Sequence, residues 1–351
     1  MNITLILTKQ CNLRCLYCFE THENRSMSEE IALRAVDFVA KHSGTHCGIS
    51  FFGGEPLLRR DFIEKCVAHA KTYPNKTFQY NMTTNGLLLD EAFLVFARDN
   101  NLKIALSHDG LMSKSNRMYP NGRDCLAELN EKLALLLRYQ PNAFLMATVA
   151  ANTVTSAADS VIDLYQKGVR RVNLALDSRP DAGWDEAGLD ELGRQLGKIA
   201  DYVLAEFREG RRVSFNAFDE KIHSITKEKL CHICALGKKK LYIDTDGVIY
   251  PCVQFVGEEV YRIGEVCGGL DEAARERIYT RSLQKPAFCQ GCALQSRCVN
   301  DCACLNFQQS GEMGEVSPIQ CAYQRMLIAA ADDLARRMLE FDEERFVERY
   351  F

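Results

Sequence analysis

The chain has 351 residues and a formal charge of −4, enough length for one large domain or two ordinary ones and too little positive charge for a general nucleic-acid binder. Hydrophobic residues make up 47% and charged residues 26%, no apolar run is long enough to cross a bilayer, and no signal peptide opens the chain. A cytoplasmic protein with neither a nucleic-acid nor a membrane partner is therefore expected.

In chain order, strand-like apolar runs fall at residues 3–7, 48–52, 77–82, 103–107, 143–149 and 172–176. Helical periodicity lies between them, near residues 28–41, 61–71, 90–99, 124–138 and 156–166, and a longer polar helix follows near 186–208. Ser28, with Glu30 and Ile31 after it, reads as a helix start. Apolar strands joined by helices imply a parallel α/β sheet with both faces covered. Six such units fit a partial (β/α)6 barrel of the TIM type or an open doubly wound sheet. In either case ligands gather at the C-terminal ends of the strands. Four loops there are polar or glycine-rich: Lys9-Gln10-Cys11, Gly53-Gly54-Glu55-Pro56, Thr83-Thr84-Asn85-Gly86 and Ser107-His108-Asp109-Gly110. From about residue 225 cysteine-rich turns take over around a hairpin, residues 241–244 and 248–250, turning through Asp246-Gly247. Residues 1–225 and 226–351 are thus expected as two domains, the second small, cysteine-rich and closed by a helix near 321–343. The run Lys238-Lys239-Lys240 reads as a solvated loop.

Cysteine is the outlier, at 16 residues. The cytosol keeps thiols reduced, so clustered cysteines there point to metal. Cys11, Cys15 and Cys18 share one loop, with no fourth ligand in it. Soft thiolates select iron–sulfur clusters, zinc or copper(I). Three cysteines on a four-iron cubane leave one iron open, and an open position is what a catalytic metal needs. The competing reading is a zinc knuckle completed by His22. Cys47, Cys66 and Cys125 sit in apolar or helical contexts and read as small core residues. Eight thiols serve two further clusters. Cys231, Cys234, Cys252, Cys289, Cys292, Cys298, Cys302 and Cys321 supply that number, with Cys267 and Cys304 left over. A pair of zinc ribbons is the alternative.

The run Cys11-Asn12-Leu13-Arg14-Cys15-Leu16-Tyr17-Cys18, followed by Gly53-Gly54-Glu55-Pro56, resembles the radical S-adenosylmethionine superfamily, and the distal cysteines resemble its SPASM extension. The resemblance implies three [4Fe-4S] clusters, one binding S-adenosylmethionine and two auxiliary. By it Cys231, Cys234, Cys252 and Cys302 hold the first auxiliary cluster, with Cys304 as an alternative to Cys302, and Cys289, Cys292, Cys298 and Cys321 hold the second. The Gly53–Pro56 turn meets the methionine ammonium, with Glu55 as acceptor. Ser107 contacts the ribose, Arg117 holds the methionine carboxylate, and Tyr17 lies beside the adenine. Asn85 is either a turn former or a cofactor neighbour.

Enzymes of this architecture mostly act on peptides or proteins, so the resemblance implies a peptide or protein substrate and an external one-electron donor of flavodoxin or ferredoxin type. Formation of a thioether or carbon–carbon crosslink in a ribosomal peptide is the leading reading. Sulfatase maturation to formylglycine, aminoglycoside modification and a non-catalytic electron carrier are the others. Anaerobic sulfatase maturases carry an aspartate base directly after the hairpin cysteine. Here Val253 follows Cys252 and cannot take a proton. Candidate substrate-side bases are His108, Asp109 and Asp177. The chain opens at its first strand with no winged-helix leader-binding module, so the precursor is expected to bind through a sheet edge or a separate leader-binding protein. The 186–228 region and the C-terminal helix are the surfaces expected to meet the precursor.

Overall fold

The computed structural model describes residues 1–225, 235–300 and 302–351. Its first half is a succession of strand–helix units: β1 (Asn2–Ile6), α1 (Glu29–His42), β2 (His46–Phe52), α2 (Arg60–Ala70), β3 (Thr77–Thr84), α3 (Glu91–Asp99) and β4 (Leu102–Ser107). There follow α4 (Leu126–Tyr139), β5 (Phe144–Val149), α5 (Ala157–Gln166), β6 (Arg171–Leu176), α6 (Glu186–Arg208), a short β7 (Ser214–Phe215) and α7 (Asn216–His223). Helices start where a side chain can take an orphan amide. Ser28 accepts from Ile31, Asp90 from Phe93 and Asp185 from Gly188.

Strands β1 to β7 lie side by side in sequence order, all parallel. A doubly wound sheet needs a point where strand order reverses. No reversal interrupts this run, so the architecture is the partial barrel. The sequence pattern missed β7, whose two residues carry no periodicity.

The C-terminal part adds β8 (Lys240–Ile243), β9 (Val248–Tyr250), β10 (Gly264–Glu265), β11 (Gly269–Leu270), α8 (Glu272–Ser282), α9 (Ala303–Ser310), α10 (Pro318–Phe341) and α11 (Glu343–Tyr350). The expected hairpin is present as β8 and β9, and Gly247 (φ +88°) supplies its left-handed turn position. It does not stand apart from the barrel. β8 pairs in parallel with β1, Thr4 opposite Tyr242, so one 11-stranded sheet runs through both parts of the chain. The expected closing helix is two helices. α10 ends at Phe341, and Asp342 accepts from Arg345 to start α11. α10 lies against α6 and α7. Tyr323 on it donates to the Leu174 carbonyl at 2.7 Å, and Gln324 accepts from Lys221 at 2.7 Å.

Only the outer face of the sheet is covered by helices. Ile49, Phe51, Met82, Ile104, Leu106 and Leu145 are buried there. On β3 the alternate residues Gln79 and Asn81 are exposed. The expectation of two buried faces fails because the inner face lines an open lumen, where polar side chains such as Gln79 and Asn81 stay exposed.

Candidate functional site

The site is built where β1 runs out. Thr8 is fully buried; its hydroxyl donates to the Arg25 carbonyl at 3.0 Å and accepts from the Gln10 amide at 3.1 Å. That fixes the entry of the thiol loop. The turn after β2 is laced onto the same backbone, with Gly54 N donating to Thr8 O at 2.8 Å and Glu55 N to Gln10 O at 2.9 Å. A Cβ on Gly53 (φ +132°) would meet Thr8 O at 2.3 Å, and one on Gly54 would meet Gln10 O at 2.2 Å. The two glycines are therefore required by the close approach of two loops.

Glu55 was expected to accept an ammonium through its carboxylate. The structure corrects this. The side chain is fully buried and already accepts from Leu57 N at 2.9 Å, Thr84 Oγ1 at 2.7 Å and Asn85 N at 2.8 Å. Burial raises its pKa to about 7 against the pull of those three donors. Glu55 ties the β2 turn to the β3 turn, and backbone is what the turn has left to offer a ligand. Pro56 opens the short 3-10 helix that follows. Asn85 is a turn former that also reaches the thiol loop. Its Oδ1 accepts from Leu87 N at 3.1 Å as a turn former, and its Nδ2 reaches Asn12 Oδ1 at 2.8 Å and Cys11 Sγ at 3.7 Å.

Arg14–Cys15 and Arg117–Met118 form a two-residue antiparallel ribbon, Cys15 opposite Arg117. Arg117 grips Asp109 with two hydrogen bonds, Nε to Oδ2 at 3.1 Å and Nη2 to Oδ1 at 3.0 Å, and turns Nη1 toward Cys15 Sγ at 3.9 Å. Asp109 also accepts from Tyr17 Oη at 2.7 Å and Thr148 N at 2.9 Å. The candidate base Asp109 is thus fully enclosed and has four donors on it. It is the keystone of the wall, because a proton would cost it that set. His108 is likewise fully buried. Gly110 N donates to its Nδ1 at 3.0 Å, its Nε2 faces Asn130 Oδ1 at 3.2 Å, and desolvation lowers its pKa to about 4. It holds the turn together and faces away from the rim. Asp177 is held by Arg179 through Nε at 2.9 Å and Nη2 at 3.0 Å. Its partner Arg179 keeps 23% of its side chain accessible. The Ser107 hydroxyl, half-buried at the end of β4, makes no hydrogen bond to the described residues.

The sequence reading missed Lys9. It forms a buried ion pair with Asp244 at 3.2 Å, joining the end of β1 to the end of β8. Only the parallel pairing of those strands brings the two together. It also removes Asp244 as a free carboxylate near Val253.

Cys11, Cys15 and Cys18 are half-buried, while Cys47, Cys66 and Cys125 are buried in the core as expected. Cys289, Cys292, Cys298 and Cys321 all line one cavity of about 80 Å³, beside a buried, unpartnered Asn300 Oδ1. Yet among the described residues no three such side chains close around a single metal ion. Cys302 and Cys304 stand 3.3 Å apart, and Cys252 hydrogen-bonds to Cys304. Cys304 therefore belongs to the same group. Cys231 and Cys234 lie outside the described residues, and Cys267 is exposed at the surface.

Residues 5–123 match the model of the Radical SAM superfamily. The cysteine-type anaerobic sulfatase-maturating enzyme of Clostridium perfringens is 26% identical over 278 residues, 73% of this chain and 74% of that enzyme. The radical SAM cyclopropyl synthase TigE of Paramaledivibacter caminithermalis is 20% identical over 97% of this chain and 75% of its own. The fold is shared with the solved structure of native anSMEcpe with bound AdoMet and Cp18Cys peptide, at a TM-score of 0.78 and 20% identity, covering 100% and 99% of the two chains. Streptococcus suis SuiB bound to its precursor peptide SuiA matches at a TM-score of 0.63 and 16% identity, over 91% and 75%. No helix among the described residues is long and apolar enough to cross a membrane.

Proposed function

We propose that this chain is a radical SAM enzyme that modifies a peptide or protein substrate at the C-terminal rim of its barrel, forming a crosslink such as a thioether or carbon–carbon bond in a ribosomal peptide. The observation that carries this is the convergence on one three-thiol loop of the turns after β2 and β3 and the Arg117 ribbon. A [4Fe-4S] cluster held by Cys11, Cys15 and Cys18, together with S-adenosylmethionine, would supply one-electron reductive chemistry and hydrogen-atom abstraction from the substrate.

The chain's own residues hold and aim that chemistry. Cys11, Cys15 and Cys18 are the cluster ligands. The backbone of Gly53, Gly54, Glu55 and Pro56 meets the methionine ammonium, and the unbonded Ser107 hydroxyl meets the ribose. Arg117 has five donors and spends two on Asp109. The remainder, on the side of Cys15, meet the carboxylate. Tyr17 is fixed by Asp109 so that its ring flanks the adenine, and Asn85 sets the thiol loop from the far side. Asp177 is the base within reach of the rim once substrate draws off Arg179.

Residues 226–351 form the auxiliary SPASM domain beside the 1–225 barrel. Cys289, Cys292, Cys298 and Cys321 hold one auxiliary [4Fe-4S] cluster. Cys231, Cys234, Cys252 and Cys302 hold the other, with Cys304 packed against it. The enzyme works in the cytoplasm with a flavodoxin- or ferredoxin-type donor and a separate leader-binding protein. Fold and identity both support formylglycine formation as a second reading. Val253 opposes it: this side chain lines the lumen and has no proton acceptor.

Anaerobic turnover with a precursor peptide encoded beside this chain, read by mass spectrometry, tests the choice. Loss of a pair of hydrogens with no aldehyde supports crosslinking, with the cysteine thiol consumed for a thioether and intact for a carbon–carbon bond. An aldehyde that reacts with a hydrazide supports the second reading, and an unaltered peptide of either kind contradicts both.

A further inference from the structure

The N-terminal end of the lumen is a cavity of about 840 Å³ that the site above does not use. Lys103, Arg171, Lys240 and Arg98 line it, and among the described residues lining it there is no carboxylate. Arg98 is paired with Asp99, but among the described residues no ion pair reaches Lys103, Arg171 or Lys240. Lys240, expected in a solvated loop, lies over the Tyr242 ring inside the cavity, and Arg171 lies over Phe144. Arg171 also lines an adjoining hollow of about 620 Å³ with Arg170 and Arg212, where the one carboxylate, Asp219, is occupied by Arg349. A chain of net charge −4 thus concentrates unpaired cations at one concave end. Low-dielectric walls focus such a field on whatever enters.

The shape selects the anion. Thr4, Ser50, Asn81, Thr83 and Ala105 also line this space, and they lie mid-strand. An extended single chain reaches them, whereas a folded partner or a duplex meets only the outer edge. Lys103 and the rim residue Ser107 lie on the same strand, four residues apart. At strand spacing that is about 13 Å, or roughly four residues of extended peptide.

We propose that this mouth binds an acidic stretch of the peptide substrate, placed about four residues from the residue modified at the rim. The proposal rests on the peptide-modification reading for its meaning, but its test does not use turnover. A fluorescein-labelled tetraglutamate peptide, its tetraglutamine counterpart and an oligothymidylate are titrated by anisotropy into the cluster-loaded full chain without S-adenosylmethionine. The glutamate peptide is expected to bind, and to weaken steeply with salt. The glutamine peptide and the double variant Lys103→Glu, Arg171→Glu should each bind about tenfold more weakly. Lys240→Gln, milder and at a strand end, should weaken the glutamate peptide a few-fold, and serves if the double variant fails to fold. Equal binding of the glutamate and glutamine peptides overturns the proposal. So does unchanged binding in Lys240→Gln, or an oligothymidylate that outcompetes the glutamate peptide. Peptide modification could then still proceed, so the two readings fail separately.

Discussion

The two ends of one barrel lumen are built on opposite principles. At the C-terminal rim four buried carboxylates have partners: Asp109 with Arg117, Asp177 with Arg179, Asp244 with Lys9, and Glu55 under three donors. At the N-terminal mouth Lys103, Arg171 and Lys240 face solvent without a carboxylate. Groups that must hold a reactive fragment in one geometry are locked by hydrogen bonds before it arrives. Groups that must accept varied sequences are left open, and water solvates them until a chain enters. The rim should therefore be brittle to substitution and the lumen wall tolerant.

The largest effect belongs to the thiol loop. Replacing Cys15 and Cys18 together by alanine should abolish S-adenosylmethionine cleavage while the iron bound by the distal cysteines remains, as counted by iron analysis and chromatography of the nucleoside product.

Next is the buried ion pair. Asp109→Asn leaves Arg117 enclosed without its counter-charge and should cost about 3–5 kcal/mol in urea denaturation.

Glu55 gives a pH signature. Its pKa is raised from 4.5 to about 7, so the folded state binds more protons than the unfolded state between those values. Stability then falls as pH rises through that window and levels above it. Glu55→Gln should flatten the slope between pH 5 and pH 7 in urea melts at the two pH values. An unchanged slope would mean the carboxylate is not the group responsible.

The smallest effect should come from the lumen wall. Asn81→Ala should stay within about 0.5 kcal/mol of the parent, whereas Thr84→Val, three residues on but at the rim, should cost about 1–3 kcal/mol because the Glu55 carboxylate and the Gly86 amide both lose a partner. Equal costs for the two would erase the contrast between rim and lumen.

The order of strands and helices was legible because apolar periodicity is local, and the rim was legible because polar turns recur at equivalent strand ends. What a side chain does within the rim was not. His108, Asp109 and Ser107 are consecutive and equally polar, yet the register turns the first two into the wall and leaves only the serine hydroxyl open. The Lys9–Asp244 pair escaped for a different reason: its members are far apart in sequence and meet only through the parallel pairing of β1 with β8. The basic mouth escaped for the same reason, since Lys103, Arg171 and Lys240 come from three separate strands. The family resemblance, rather than spacing, put Cys289, Cys292, Cys298 and Cys321 in one group, and they line one cavity. Spacing did not reveal that Cys304 sits against Cys252 and Cys302.

The central claim for this molecule is that its rim is a radical-generating site. The most direct measurement is anaerobic incubation of the cluster-loaded chain with dithionite and S-adenosylmethionine, followed by quantitation of 5′-deoxyadenosine and methionine. Equal amounts of the two, absent in the Cys15, Cys18 double variant, are the predicted result. No 5′-deoxyadenosine from a chain that carries its full iron would contradict it.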